Sequence, residues 1–265
     1  MEKKFIDSIG LDGDGIINDL DFYQYVYGTP YFLSKYCKEN GIDLPFPKHF
    51  YSPEYFLKRD VRTRDEFMEM LLDEFYQLDI DFDLGNIIKN PNAYDIQDIF
   101  GCTKLERQLF WLQHFPKYCT NYPIRPEASH YINKWQKEGR KVHFITARAF
   151  VKNKIVGPWV RHKFENTLDE NGIMPDSITY CREKESPIDK AVACEKYGVM
   201  VMAEDKVENI RRLSSFIPVV SFAASYNEDC MGNNIIRTHN DFAGIDKFIT
   251  EYESGLQPKV MIKRR

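Results

Sequence analysis

Two aspartates one residue apart close the first apolar run of the chain, in Gly10-Leu11-Asp12-Gly13-Asp14-Gly15-Ile16-Ile17. Carboxylates this close can share a metal ion. The intervening glycines let the backbone turn sharply and offer amide groups to a phosphate. Asp-Gly-Asp-Gly also occurs in surface turns. A calcium-binding EF-hand loop is excluded, because Ile16, Ile17 and Tyr23 stand where that loop needs an oxygen ligand, a glycine and a glutamate.

Three further places have side chains suited to the same chemistry. Val142-His143-Phe144-Ile145-Thr146-Ala147-Arg148 ends an apolar run in a hydroxyl and a small residue. Thr146 can bind a phosphate oxygen, helped by the next backbone amide, or it can cap a helix. Arg148 can reach a substrate or form a surface ion pair. Lys190 falls on a helical stretch, where a lone lysine is ordinarily solvated. Val199-Met200-Val201-Met202-Ala203 delivers Glu204 and Asp205 to its end, and adjacent acids there also suit a helix dipole. The six histidines show no metal-ligand spacing.

The elements that must position these groups follow from periodicity. Residues 5–12, 141–145, 177–180, 199–203 and 219–222 read as strands, and stretches near 127–138, 153–170, 187–197, 206–215 and 242–252 read as helices. Such alternation predicts an α/β fold with a Rossmann-like parallel sheet, whose ligands bind beyond the carboxyl ends of the strands. Between 19 and 125 the pattern turns helical: Thr29-Pro30 marks a helix start, Thr63-Arg64-Asp65-Glu66 a capping box, and 104–114 another helix. A hundred residues are too many for one connection. They are expected to form an inserted, mostly helical cap domain (19–125), with the core split into 1–18 and 126–265. The aromatic run Phe22, Tyr23, Tyr25, Tyr27, Tyr31, Phe32 and Tyr36 can stack on a nucleobase or fill the cap's own core.

The order of these groups resembles the four motifs of the haloacid dehalogenase (HAD) superfamily: Asp-x-Asp after the first strand, Thr after the second, Lys before the fourth, and an acidic pair after it. The resemblance implies a HAD-like core and a phosphomonoesterase. Asp12 would be the nucleophile and Asp14 the general acid and base. Asp12, Asp14, Glu204 and Asp205 would hold Mg2+, and Gly13, Thr146, Ala147 and Lys190 would bind phosphate. Phe144-Ile145-Thr146-Ala147-Arg148, with Lys190 and Glu204-Asp205, further resembles the bacterial relatives of the 5′(3′)-deoxyribonucleotidases. That implies a nucleoside monophosphate substrate. The pair is followed here by Lys206-Val207-Glu208-Asn209, which keeps an asparagine common in that group and lacks its proline. A Glu-Asp pair also occurs in sugar-phosphate phosphatases and phosphomutases of the superfamily, and a non-catalytic binding protein would keep the fold without turnover.

Composition sets the remaining bounds. With 43% hydrophobic residues and a formal charge of −4, the chain can bury a sizeable core and has no broad basic footprint for a nucleic acid polymer or an anionic membrane. The basic stretch 259–265 is too short to alter that. The six scattered cysteines read as free thiols in a reducing, cytoplasmic setting. The expected partner is a small phosphorylated substrate; the sequence does not fix an oligomeric state.

Overall fold

The computed structural model describes residues 5–42, 55, 58–59, 61, 63–120, 124–239 and 241–256. The basic stretch 259–265 lies outside them. The chain divides into two compact units, Met1–Asn18 with Cys119–Arg265, and Asp19–Tyr118. The second junction thus falls at 118/119, against the 125/126 read from the sequence.

The first unit is built on six parallel strands: β1 (Ser8–Leu11), β2 (Lys141–Thr146), β3 (Ser177–Tyr180), β4 (Val201–Glu204), β5 (Val219–Phe222) and β6 (Ile235–Thr238). Their order is β3-β2-β1-β4-β5-β6. This is the doubly wound Rossmann-like arrangement expected, with helices on both faces. One face carries α5 (Ala128–Lys137), α6 (Gly157–Glu170) and α9 (Phe242–Glu253), whose Ile132, Trp135, Phe164, Leu168, Phe242 and Phe248 share a buried cluster with the strands. The other carries α7 (Ser186–Tyr197) and α8 (Val207–Leu213), with Ala193, Cys194, Ile210 and Leu213 packed on Met202 and Val219. β6 was not anticipated: as an edge strand it buries only Ile235 among its four residues, so its apolar signal is weak.

The second unit is helical, with α1 (Leu20–Asn40), α2 (Arg64–Gln77), α3 (Ile96–Phe100) and α4 (Lys104–Thr120), the last ending two residues past the junction. The capping box at Thr63 is present, with both Thr63 and Glu66 side chains engaged. Thr29-Pro30, however, does not start a helix. α1 begins ten residues earlier, where the Asp19 side chain accepts a hydrogen bond from Phe22 N, and it runs through Pro30 in its interior. Likewise α4 continues past His114 and through Pro116. In both, burial of an apolar face outweighs the amide that proline removes. The aromatic run is largely core: Phe22, Tyr23, Tyr25, Tyr27 and Phe32 are buried, and Tyr23 stacks on Tyr27 with ring centroids 4.2 Å apart.

Among the described residues no helix is long and apolar enough to cross a membrane, and all six cysteines are free thiols.

Candidate active site

The chain leaves β1 for β2 on one side and later returns to place β4 on the other. The topological switch point therefore lies between β1 and β4, where a doubly wound sheet opens a crevice beyond its carboxyl ends. Leu11 pairs with Ala203 across that junction, so the next residue on each strand, Asp12 and Glu204, reaches the same level. Asp12 N donates to Ala203 O at 3.1 Å, fixing the register. On the other side Leu11 pairs with Phe144, which brings Thr146 level with Gly13.

Four of the expected residues converge here. The Lys190 ammonium, fully buried on α7, lies 2.6 Å from Asp12 Oδ2 and 2.6 Å from Glu204 Oε2. Oxygens of Asp12, Glu204 and Asp205 lie within 4.8 Å of one another, all buried, a spacing that can hold a metal ion. Lys190 is thus not the solvated helical lysine that its position suggests. Two of its three donors are used by the carboxylates, leaving one for a further acceptor. The Thr146 hydroxyl is buried with no hydrogen-bond partner, as is Asp205 Oδ1. Buried polar atoms are rarely left so, and two of them facing one cluster suit a ligand, water or ion.

The electrostatics say the same. Burial, reinforced by Glu204, pushes Asp12 well above the ordinary carboxylate range, against the opposing pull of Lys190. Burial and Glu204 also push Asp205 up to about 8. Glu204 is as deeply buried, but the Lys190 ammonium and the Lys206 N–H more than offset that and hold it below the usual value. Burial favours the neutral amine of Lys190, yet Asp12 and Glu204 outweigh it and raise the ammonium's pKa. All three carboxylates ionised against one ammonium would leave an excess of negative charge in this buried site, and the raised pKa values of Asp12 and Asp205 express that cost. Since each unpaired buried ion costs several kcal/mol, the donor set and its charge fit a small divalent cation with oxygen ligands.

Gly13 and Gly15 are required by close approach. A Cβ on Gly13 would stand 2.7 Å from Thr146 Oγ1; one on Gly15, which has φ +89, would stand 2.1 Å from Asp205 Oδ2. The turn closes through Ile17 N and Asn18 N, both donating to Gly13 O. Asp14 sits at its edge, partly exposed, with a carboxylate oxygen 3.3 Å from Arg148. It does not join the carboxylate cluster through its side chain. Arg148 is buried rather than at the surface and lies over the Phe164 ring. Ala147, half-buried, follows Thr146 out of β2.

Sequence reasoning missed the groups that brace this site. Arg125 donates to Ile16 O at 2.9 Å and Gly15 O at 3.1 Å, clamping the turn. The Tyr226 hydroxyl donates to Asp205 Oδ2 at 2.5 Å, and the Asn227 amide donates to Asp205 O at 2.8 Å. Asn209, noted only for its place after the acidic pair, accepts from the Ser186 hydroxyl at 2.8 Å and so ties α8 to the start of the helix that carries Lys190. These pairings are distant in sequence and leave no local pattern.

No protein-family model matches the chain, nor does any curated protein. Solved structures align with it over nearly their whole length. A HAD-superfamily hydrolase from Ehrlichia chaffeensis is 11% identical, with a TM-score of 0.49 over 95% of this chain and 98% of its own. A phosphonoacetaldehyde hydrolase-like protein from Oleispira antarctica is 13% identical, with a TM-score of 0.49 over 97% and 96%. A predicted phosphatase from Clostridium acetobutylicum is 10% identical, with a TM-score of 0.48 over 94% and 98%. At this level of identity and superposition they assign no activity to this chain.

Proposed function

We propose that the protein is a Mg2+-dependent phosphomonoesterase working through an aspartyl-phosphate on Asp12, with a nucleoside monophosphate as substrate. The observation that carries the reading is the convergence of Asp12, Glu204 and Asp205 around Lys190 at the sheet's switch point, with the unpartnered Thr146 hydroxyl beside Gly13.

The cation would be held by Asp12, Glu204, Asp205 and the main chain of Asp14, and when bound it would offset the negative charge of the phosphate and of the cluster. Asp12 attacks phosphorus in line, forming the carboxylate O–P bond as the ester P–O bond breaks. Asp14 gives a proton to the departing alkoxide, then takes one from the water that cleaves the acyl phosphate, returning Asp12 and releasing phosphate. Thr146 and the remaining donor of Lys190 bind phosphate oxygens, with the amides of Gly13 and Ala147.

The nucleotide preference is supported by the likeness of residues 144–148, Lys190 and Glu204-Asp205 to the deoxyribonucleotidase group, and not by the aromatic run, whose rings are mostly buried. The unit inserted after the first carboxylate pair is the candidate for selecting the leaving group. Six free cysteines support a reducing, cytoplasmic setting.

The test is phosphate release from a panel of nucleoside monophosphates and sugar phosphates, with and without Mg2+, for wild type and Asp12→Asn. Metal-dependent release, highest with deoxynucleotides and absent in the variant, supports the reading. Preference for sugar phosphates moves the substrate class, and equal release by Asp12→Asn removes Asp12 as nucleophile.

A further inference from the structure

We infer that Tyr226 is a positioning residue that fixes the rotation of the Asp205 carboxylate, holding one oxygen so that the other faces the cation; the inference rests on the metal reading above. The Tyr226 hydroxyl donates to Asp205 Oδ2 at 2.5 Å, a short, charge-assisted contact. The other oxygen, Oδ1, is buried and has no hydrogen-bond partner. The Gly15 backbone approaches the same carboxylate so closely that a Cβ there would lie 2.1 Å from Oδ2. One oxygen is therefore committed to protein and the other is available to a ligand.

The donor is itself held. Tyr226 lies on the short turn Ser225–Asn227 after β5, and the Asn227 side-chain amide donates to both Asp205 O and Phe222 O at 2.8 Å. Arg237 on β6 donates to Asn227 O at 2.8 Å, to Asn227 Oδ1 at 2.7 Å and to Ala224 O at 3.0 Å. The edge strand thus braces the turn, Asn227 anchors the main chain of Asp205, and Tyr226 sets the rotation of its carboxylate. Without the hydroxyl the carboxylate can turn about its own axis and is no longer held at the angle that points an oxygen at the cation. Partners that orient a ligating group in this way typically govern metal affinity by 10- to 100-fold.

The experiment is a Mn2+ titration of the full chain followed by electron paramagnetic resonance, comparing wild type, Tyr226→Phe and Asp205→Asn, with circular-dichroism melts in EDTA to verify folding. Tyr226→Leu, which also lacks the hydroxyl, serves if the phenylalanine variant does not fold. The expected result is that wild type binds, Asp205→Asn does not, and loss of the hydroxyl raises the dissociation constant about tenfold or more, with a changed bound-Mn2+ line shape. A wild type that binds and a Tyr226→Phe within about twofold of it overturns the role of Tyr226 and leaves the metal reading standing. Failure of wild type to bind Mn2+ or Mg2+ overturns the metal reading, and this inference with it.

Discussion

The Lys190 ammonium is in contact with the Asp12 carboxylate at 2.6 Å, and the same nitrogen is equally close to Glu204, so one cation holds together acids from two strands. The ammonium is the counterion of this buried cluster, in which burial raises the pKa of Asp12 and Asp205 while Lys190 holds Glu204 below its usual value. Replacing it by the apolar Lys190→Met leaves that cluster without compensation. Removing one member of a buried ion pair costs about 3–5 kcal/mol. Urea unfolding in EDTA should show that loss, and Mg2+ should restore more stability to the variant than to wild type. An equal effect of Mg2+ on both contradicts the charge argument.

Thr146 offers a test in which stability and function separate. Its hydroxyl is buried and unpartnered, so Thr146→Val, nearly the same shape, removes a group that folding leaves unsatisfied. Stability should hold or rise by up to about 1 kcal/mol. Phosphate release should fall about 10- to 100-fold in kcat/KM, the worth of a hydrogen bond to a charged group. A variant that loses stability and keeps activity would make Thr146 a structural residue.

Arg125 is expected to matter to the fold of the Asp12–Ile17 turn. Arg125→Ala removes two donors and leaves the carbonyls of Gly15 and Ile16 without them, at a cost of about 2–4 kcal/mol. Arg125→Lys, with a single nitrogen at the end of its side chain, should recover only part of this. Chemical denaturation of the three proteins measures it; an alanine variant as stable as wild type excludes the clamp.

Acid should expose a further pairing near the start of α7. Asp189 accepts from Arg182 N and from the Arg182 guanidinium, which hold its pKa down at about 2 from the ordinary 3.8. A depressed carboxylate stabilises the fold above its unfolded pKa, and that contribution is lost as pH falls through the folded one. The stability difference between wild type and Asp189→Asn should therefore be constant above about pH 5 and shrink between about pH 4 and 2. A difference that does not change over that range rules the pairing out as a source of acid sensitivity.

How much was legible in the sequence depended on where the determinant lay. β2, β3 and β5 are short apolar runs between turn residues, and their limits match to within a residue. Asp12, Thr146, Glu204 and Asp205 stood out because each closes such a run, and in a parallel sheet those ends meet. Lys190 could be placed only by the order of motifs, since its burial comes from partners on other elements. Pro30 and Pro116 misled because local propensity marks a boundary that the buried faces of α1 and α4 override. Arg125, Tyr226 and Asn227 had no signature at all, because what they touch is set by tertiary structure.

The central strand of the first unit is also the earliest in the chain. β1 has neighbours on both sides, and both come from the later segment, Leu11 pairing with Phe144 and with Ala203. During synthesis on the ribosome, roughly 190 residues must be added after Leu11 before β4 exists to receive it. That takes about 10 to 40 s at ordinary elongation rates. The contiguous helical unit is complete well before then, so it can fold while β1 still lacks β4. The nascent chain thus carries a hydrophobic strand with an open edge until β4 has been made, and Asp12 meets Lys190 only after about 180 residues have followed it.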